Sequence, residues 1–310
     1  MGASDHNRFM KPLLQASVAG RGPTHQGKVR DIFELGSDLL LVSTARISAF
    51  DVVMANVIPD KGRVRNQLSA FWFERLSSVC RNHVVSTSDE DIRRRVPGAG
   101  TELLGRSMIV RKSQPLMVEC VARGYLVGSL YKEYVSQGGR LHGLDLPPNI
   151  PEAGQLDAPI FTPATKATDG HDQNISFDEM AEIVGRDLAT NLRDLTLRLF
   201  ALASEYCAER GLILADTKFE FGIDDEGLVW IDEALTPDSS RYWDAERYQP
   251  GGPQPSFDKQ FVRDYLESIQ WDKRPPGPEL PEDIVRQTRD KYLEAFQRIT
   301  GRPLAMPVGV

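Results

Sequence analysis

The sequence predicts an α+β protein of two lobes: an N-terminal antiparallel β lobe with one helix, and a larger C-terminal lobe of α/β character. Three observations point there. Strand-like stretches joined by polar turns fill the first hundred or so residues, interrupted by one helical period. A Ser113-Gln114-Pro115 break then separates two further strands; proline has no amide hydrogen and restricts the residue before it, so the break reads as a hinge. Beyond it, leucines at 188, 192, 195, 199 and 202 step by four and three, a helical stripe, and a strictly alternating stretch follows at 214–222. The expected divisions are a loose arm at 1–25, the N-terminal lobe at 26–114 and the C-terminal lobe at 115–310.

Taken in order, residues 1–25 are polar and aperiodic. Residues 27–35 and 38–44 read as strands joined at Gly36-Ser37, and 52–57 as another. From about Arg63, Leu68, Phe71, Trp72, Leu76 and Val79 recur every three or four residues, which makes a helix. Residues 106–112 return to strand. The second lobe opens with a strand at 117–123 and a helix from Ser129 that ends near Gly138-Gly139. Residues 140–175 are rich in proline, glycine and aspartate and read mostly as loop; loops of that length usually carry function or lack order. Ser176-Phe177-Asp178-Glu179 is a capping box opening a helical region that ends by Gly211. Its stripe is too short for a coiled coil and suits packing on a sheet. A hairpin spans 212–232, and helices near 256–270 and 281–300 flank Pro275-Pro276-Gly277-Pro278.

Composition narrows the function classes. A chain of 310 residues, 41% hydrophobic and 26% charged, can bury the core of one large or two smaller soluble domains. A net charge of −7 argues against a nucleic-acid partner gripped by a basic surface. Arg93-Arg94-Arg95 follows Asp89-Glu90-Asp91 and reads as a solvated helix face. No apolar run approaches the ~20 residues of a membrane span, and the N-terminal stretch has no apolar signal core. Cys80, Cys120 and Cys207 fit no zinc or disulfide spacing and sit in apolar surroundings, as buried thiols of a reducing, cytoplasmic protein do. The five histidines show no metal-ligand spacing.

The chemistry concentrates on the hairpin. Alternation puts Asp216, Lys218 and Glu220 on one face and Thr217, Phe219 and Phe221 on the other. With Gly227 at the left-handed position of a three-residue loop, Glu220 would lie opposite Asp232. Opposed like charges destabilise a ladder unless something neutralises them, and a hard cation with phosphate oxygens would. A merely solvated charged strand is the alternative; the hydroxyl-rich stretch 234–244, with Arg241 among aromatics, favours a site. Gly27-Lys28-Val29-Arg30-Asp31 enters a strand and so is no P-loop, although a two-stranded flap can cover phosphates with Lys28 as a point charge. At residues 123–129, Arg123 offers a fork of donors, Gly128 allows close approach and Ser129 stands where a helix begins. This is an anion cradle or an ordinary helix cap. Lys166, Asp169, His171 and Asp172 crowd one loop, open to a metal or a substrate reading.

Five collinear stretches resemble the SAICAR synthetase family of de novo purine synthesis: 27–35 (GKVRDIFEL), 118–129 (VECVARGYLVGS), 161–176 (FTPATKATDGHDQNIS), 214–222 (LADTKFEFG) and 231–243 (IDEALTPDSSRYW). The resemblance runs from about residue 25 to the C-terminal end. It implies a two-lobed ATP-binding fold and a carbon–nitrogen ligase. That ligase would join L-aspartate to carboxyaminoimidazole ribotide through an acyl phosphate, giving SAICAR, ADP and phosphate with Mg²⁺. Residue by residue, it implies ATP binding at Gly27, Lys28, Arg30 and Glu119, with residues 112–118 as the hinge beside adenine. It implies ribotide phosphate binding at Arg123, Ser129 and Arg241, and a substrate loop with Lys166 and Asp172. Lys218 and Asp216 take catalytic roles, and Glu220 and Asp232 hold the metal. Family members often carry a glutamate where this chain has Gln173, so no charged role transfers there. The expected partners are small molecules, without nucleic acid or membrane, in a monomer or homodimer. A small-molecule kinase on a similar scaffold shares the ATP and metal features but would leave a phosphorylated product. A non-catalytic scaffold would have no need of the Lys28, Lys218, Glu220 and Asp232 set.

Overall fold

In the computed structural model, residues 12–166, 172–257 and 259–307 are described. The first sheet is antiparallel, in the order β1 (His25–Gln26), β2 (Arg30–Leu35), β3 (Asp38–Ser43), β7 (Ser107–Arg111), β6 (Val84–Ser86). Gly36, at φ 67°, closes the two-residue turn between the paired Leu35 and Asp38. β4 (Arg46–Ala49) and β5 (Val52–Val57) form a separate hairpin. Between these strands lie α1 (Lys61–Arg75) and the short α2 (Asp89–Arg95), whose Arg94 is exposed on a solvated face as expected.

The chain changes sheets at the proline break. β7 ends in the first sheet, and β8 (Gln114–Pro115) pairs with Gly222 and Ile223 of the second. That second sheet runs β12 (Gly154–Phe161), β9 (Val118–Leu126), β14 (Leu212–Asp224), β15 (Gly227–Ile231). β13 (Ala164–Thr165) joins β9, and β16 (Ser240–Asp244) joins β14. α3 (Ser129–Gln137) and the hairpin β10 (Arg140–Leu141)–β11 (Leu144–Asp145) follow β9. α4 (Phe177–Val184) and α5 (Arg186–Ala208) precede β14, and α6 (Gln260–Ser268) and α7 (Glu282–Thr300) close the chain.

The main core lies between this sheet and its helices. Leu68, Trp72 and Phe73 of α1, Leu192, Leu199 and Phe200 of α5, and Tyr292 and Phe296 of α7 meet Phe219, Phe221 and Trp230 there. Trp230 receives Phe219 and Phe73 edge-on, at 5.2 and 4.7 Å between ring centres. The inward face of the alternating strand is thus the apolar one, which leaves its charged face for chemistry.

Several expectations are corrected. The capping box at Ser176 is present, its hydroxyl accepting from Glu179 N, but Gly185, at φ 87°, splits the helical region into α4 and α5. Leu202 of the stripe is 38% exposed, so it does not join the core. The described part of the 140–175 stretch is mostly loop, as expected, but it also carries four short strands, β10 to β13. β12 hid because Pro159 and a bulge between Gln155 and Ile160 interrupt its alternation. The polar stretch 234–244 ends in β16. Most consequentially, the hairpin turn holds two residues, Asp225 and Glu226, between the paired Asp224 and Gly227. Glu220 therefore pairs with Ile231, not Asp232, and Asp232 sits just past the strand at φ 68°. A one-residue shift sends a side chain to the other face of a strand. Leaving the strand is what returns the Asp232 carboxylate to the charged side.

Candidate active site

The charged face of β14 lines a cavity whose two ends differ in charge. At one end, strand register assembles the site. Asp216 lies opposite Arg123 of β9 on one side and opposite Arg241 of β16 on the other. Arg123 Nη1 donates to Asp216 Oδ2 at 3.0 Å, and Arg241 Nη1 donates to the same oxygen. Arg123 Nε donates to Thr162 Oγ1 at 2.9 Å. Burial lowers the Arg123 pKa, and Asp216 opposes that shift. Two guanidiniums share one carboxylate, so this end carries surplus positive charge. Ser129, the first residue of α3, lines the same space. The preceding Gly128 has φ 68°, and a Cβ there would stand 2.7 Å from Arg241 Nη2. The glycine lets the helix start approach the arginine, and helix-terminal amides with guanidinium forks suit a phosphate.

At the other end, carboxylates and cations alternate. Lys218 Nζ donates to Glu119 and, at 2.7 Å, to Glu220 Oε1. Lys166 Nζ donates to the other oxygen of Glu220. Arg30 Nη1 meets Asp232 Oδ1 at 2.5 Å. Burial pulls the Lys218 pKa down, but Glu220 and Glu119 outweigh it, so the net shift is upward and the ammonium stays charged. For Asp232, burial is outweighed by Arg30, Arg65, Lys218 and Lys166, which hold its carboxyl well below the usual range. Burial pushes Glu119 up, with Lys218 opposing. Among the described residues no three side chains form a ready metal cage. Mg²⁺ rarely uses one; it takes one or two carboxylates and completes its shell with substrate phosphates and water. Two hard oxygen donors whose partners are displaceable ammonium and guanidinium groups fit that requirement.

The cavity thus gathers Glu119, Arg123, Ser129, Asp172, Asp216, Lys218 and Arg241. Glu220 and Lys166 join through the ion pairs above, and the Arg30–Asp232 pair lies within electrostatic reach of Lys218 and Lys166. Gly27 and Lys28 stand apart in the loop before β2, where Arg46 binds both backbone carbonyls. The Lys28 ammonium pairs with Asp51, each side chain about half-exposed. Asp169 and His171 lie outside the described residues.

Three comparisons bear on this architecture. The SAICAR synthetase family model matches residues 23–278. The chain belongs to the SAICAR synthetase family. It is 50% identical, over 94% of its length and 98% of the relative's, to a phosphoribosylaminoimidazole-succinocarboxamide synthase of Citrifermentans bemidjiense. It superposes with TM-score 0.85 and 42% identity on a SAICAR synthase from Saccharomyces cerevisiae complexed with SAICAR, covering 95% of this chain and 99% of that one. A SAICAR synthetase in complex with ADP shares 26% identity at TM-score 0.65, covering 90% of this chain and 98% of that one.

This member of the SAICAR synthetase family builds its cavity with residues that the motifs did not single out. Lys259 and Arg263, four apart at the start of α6, line it. Asp238 lies beneath, where its carboxylate meets Lys61 at 2.5 Å, Tyr292 Oη at 2.7 Å and Lys259 at 3.3 Å. Arg65 clamps Glu233 through two bonds of 2.7 Å. Burial lowers Lys61 to about 8 despite Asp238. The signal was present: α1 opens with Lys61, Arg63 and Arg65, cations at the positive end of a helix. Arg63 finds Asp60 nearby, while Lys61 and Arg65 take their acidic partners from the 233–238 segment.

Proposed function

We propose that the chain catalyses the ATP-dependent joining of L-aspartate to carboxyaminoimidazole ribotide, giving SAICAR, ADP and phosphate. The observation that carries this reading is the pairing, four residues apart on β14, of an anion cradle at Asp216 with a carboxylate–ammonium cluster at Glu220. A ribotide phosphate at the first would set the sugar and ring toward the second, where nucleotide phosphates belong. The family's collinear match over residues 23–278 supports the same assignment.

In this reading Arg123, Ser129 and Arg241 hold the ribotide phosphate. Lys218 stands between the two substrates and offsets charge as a ribotide carboxylate oxygen attacks the γ-phosphorus, releasing ADP. The aspartate amine then attacks the acyl phosphate carbon, releasing phosphate and a proton. Positioning and charge stabilisation carry such a reaction, more than a strong base does. Glu220 and Asp232 would hold Mg²⁺, which when bound supplies charge neutralisation to the phosphates. Gly27, Lys28, Arg30 and Glu119 attend the nucleotide, with the N-terminal lobe (26–114) as its cover and residues 115–310 carrying substrate and metal. Lys166 and Asp172 serve the amino acid. Among the described residues no helix is long and apolar enough to cross a membrane.

A coupled ADP assay with product mass, omitting each substrate in turn, tests the proposal. ADP should form at full rate only with all three substrates, and hydroxylamine should trap an acyl phosphate from ATP and ribotide. Rapid ADP release that ignores aspartate, with a persistent phosphorylated product, would instead mark a kinase. Failure to turn over ATP in any combination would mark a scaffold.

A further inference from the structure

Helix α3 does two things at once. Its first turn presents Ser129 to the phosphate end of the cavity. One turn further along, Glu133 reaches the opposite wall. Its Oε1 accepts from Asn174 Nδ2 at 2.9 Å, and its Oε2 accepts from His142 Nε2 at 2.7 Å. An ionised carboxylate can only accept, so the imidazole carries its proton on Nε2. Asn174 is itself a cavity residue, just beyond Asp172. Backbone bonds secure that segment toward β13: Thr165 N donates to Gln173 O, and Ile175 N to Pro163 O, both at 2.9 Å. The Glu133 side chain ties Asn174 of the same segment to α3.

We infer that Glu133 is a positioning residue, holding Asn174 and the 172–174 segment against the helix whose N-terminus receives the ribotide phosphate. This rests on the functional reading above. Three features carry it. Asn174 and Ser129 face one cavity from different elements, and Glu133 bridges the elements. Both Glu133 oxygens are spent on donors, so its rotamer is set from two sides. His142, on the β10–β11 turn at φ 47°, is placed by a conformation that non-glycine residues seldom adopt. The carboxylate also lies within electrostatic reach of Arg123, where it favours the charged guanidinium. A residue tuned to both subsites would make the 172–174 segment and the phosphate cradle a single preformed unit, so that binding aspartate costs less ordering.

The test is steady-state kinetics on the full chain, each substrate varied in turn, with thermal melts beside it. Glu133→Ala should raise KM for aspartate about tenfold, the effect of one lost charge-assisted hydrogen bond. KM for ATP and kcat should stay within about twofold, the ordinary spread for a site not touched. Glu133→Gln keeps an acceptor for Asn174 and should restore nearly all of the loss. Glu133→Ala with Asn174→Ala should be no worse than Asn174→Ala alone, because partners acting through one contact are not additive. Equal rises in KM for ATP and aspartate, multiplying effects in the double variant, or wild-type constants in Glu133→Ala would each overturn the inference. If Glu133→Ala does not fold, Asn174→Ala carries the test: the same selective rise in KM for aspartate is expected, and a wild-type KM for aspartate would overturn the inference. Failure of the wild type to join aspartate to the ribotide would refute the functional reading instead, so the two failures are distinct.

Discussion

The two ends of the β14 face are built from the same residue types in different proportions. At Asp216, one carboxylate serves two arginines. At Glu220, three carboxylates (Glu119, Glu220, Asp232) meet three cations (Lys166, Lys218, Arg30). Among these side chains the first end carries the surplus of positive charge and suits an anion. The second is balanced alone, so anything bound there must exchange partners: a cation for the carboxylates, phosphate oxygens for the ammoniums. Rigidity differs in the same sense. Arg123 and Asp216 are nearly buried and fixed by strand register, while Lys166 and Lys218 each keep about a third of the side chain exposed. A cradle that only holds is prebuilt; a centre that must exchange ligands keeps movable ones.

The sharpest break of that contrast comes at the balanced end. Glu220→Gln or Asp232→Asn should leave the fold intact and lower kcat about 100-fold or more, with partial recovery in excess Mg²⁺. Wild-type rates at limiting Mg²⁺ would remove both residues from the metal assignment.

His83 gives the same end a pH signature. Burial, then Arg30, push its imidazole down to about 3, against an ordinary 6.5. The unfolded chain thus binds a proton that the folded chain refuses. The stabilisation is complete above pH 6.5 and is lost as pH falls toward 3. Stability should drop by about 2 kcal/mol between neutral pH and about pH 5 on this account. Denaturant melts across that range check it: His83→Gln, which does not titrate, should flatten the slope relative to wild type. An unchanged slope would mean another group governs it.

At the surplus-positive end the expected effects are on binding. Arg241→Ala or Arg123→Ala should raise KM for the ribotide about tenfold, the cost of one charged hydrogen-bond partner, and leave KM for ATP nearly unchanged. Equal rises for both substrates would erase the distinction between the ends.

Much of this was legible in the chain, for physical reasons that also explain the gaps. Alternation through Asp216, Lys218 and Glu220 declares a two-faced strand, because side-chain direction has period two whatever the tertiary context. Ser176 with Glu179 declares a helix start because capping is local. The hairpin register was not legible: one residue more or fewer in a turn depends on how Gly227 is used, and both uses suit glycine. Nor was Asp216 legible as the carboxylate between two arginines. That arrangement needs β9, β14 and β16 side by side, drawn from positions about a hundred residues apart. Asp238 was missed for the same reason: its partners Lys61 and Tyr292 are remote in sequence.

The smallest expected effect is the most discriminating. Sequence resemblance gave Asp216 a catalytic role, yet the structure surrounds it with Arg123 and Arg241 and leaves it 4% exposed. A group that touches the reacting atoms and one that only aims two arginines behave differently in Asp216→Asn. The amide keeps an acceptor but loses the charge. Removing that charge strengthens the field on a phosphate, while loosening the arginines weakens their aim; the two oppose, so KM for the ribotide should move only about threefold. kcat should hold. A catalytic carboxylate would instead show a kcat loss of about 100-fold with KM little changed. Combined with Arg123→Ala, Asp216→Asn should add less than its effect alone, since one of the two arginine contacts it supports is already gone. Multiplying effects would place Asp216 in direct contact with substrate, and the surplus positive charge of this end would then be an accident of spacing.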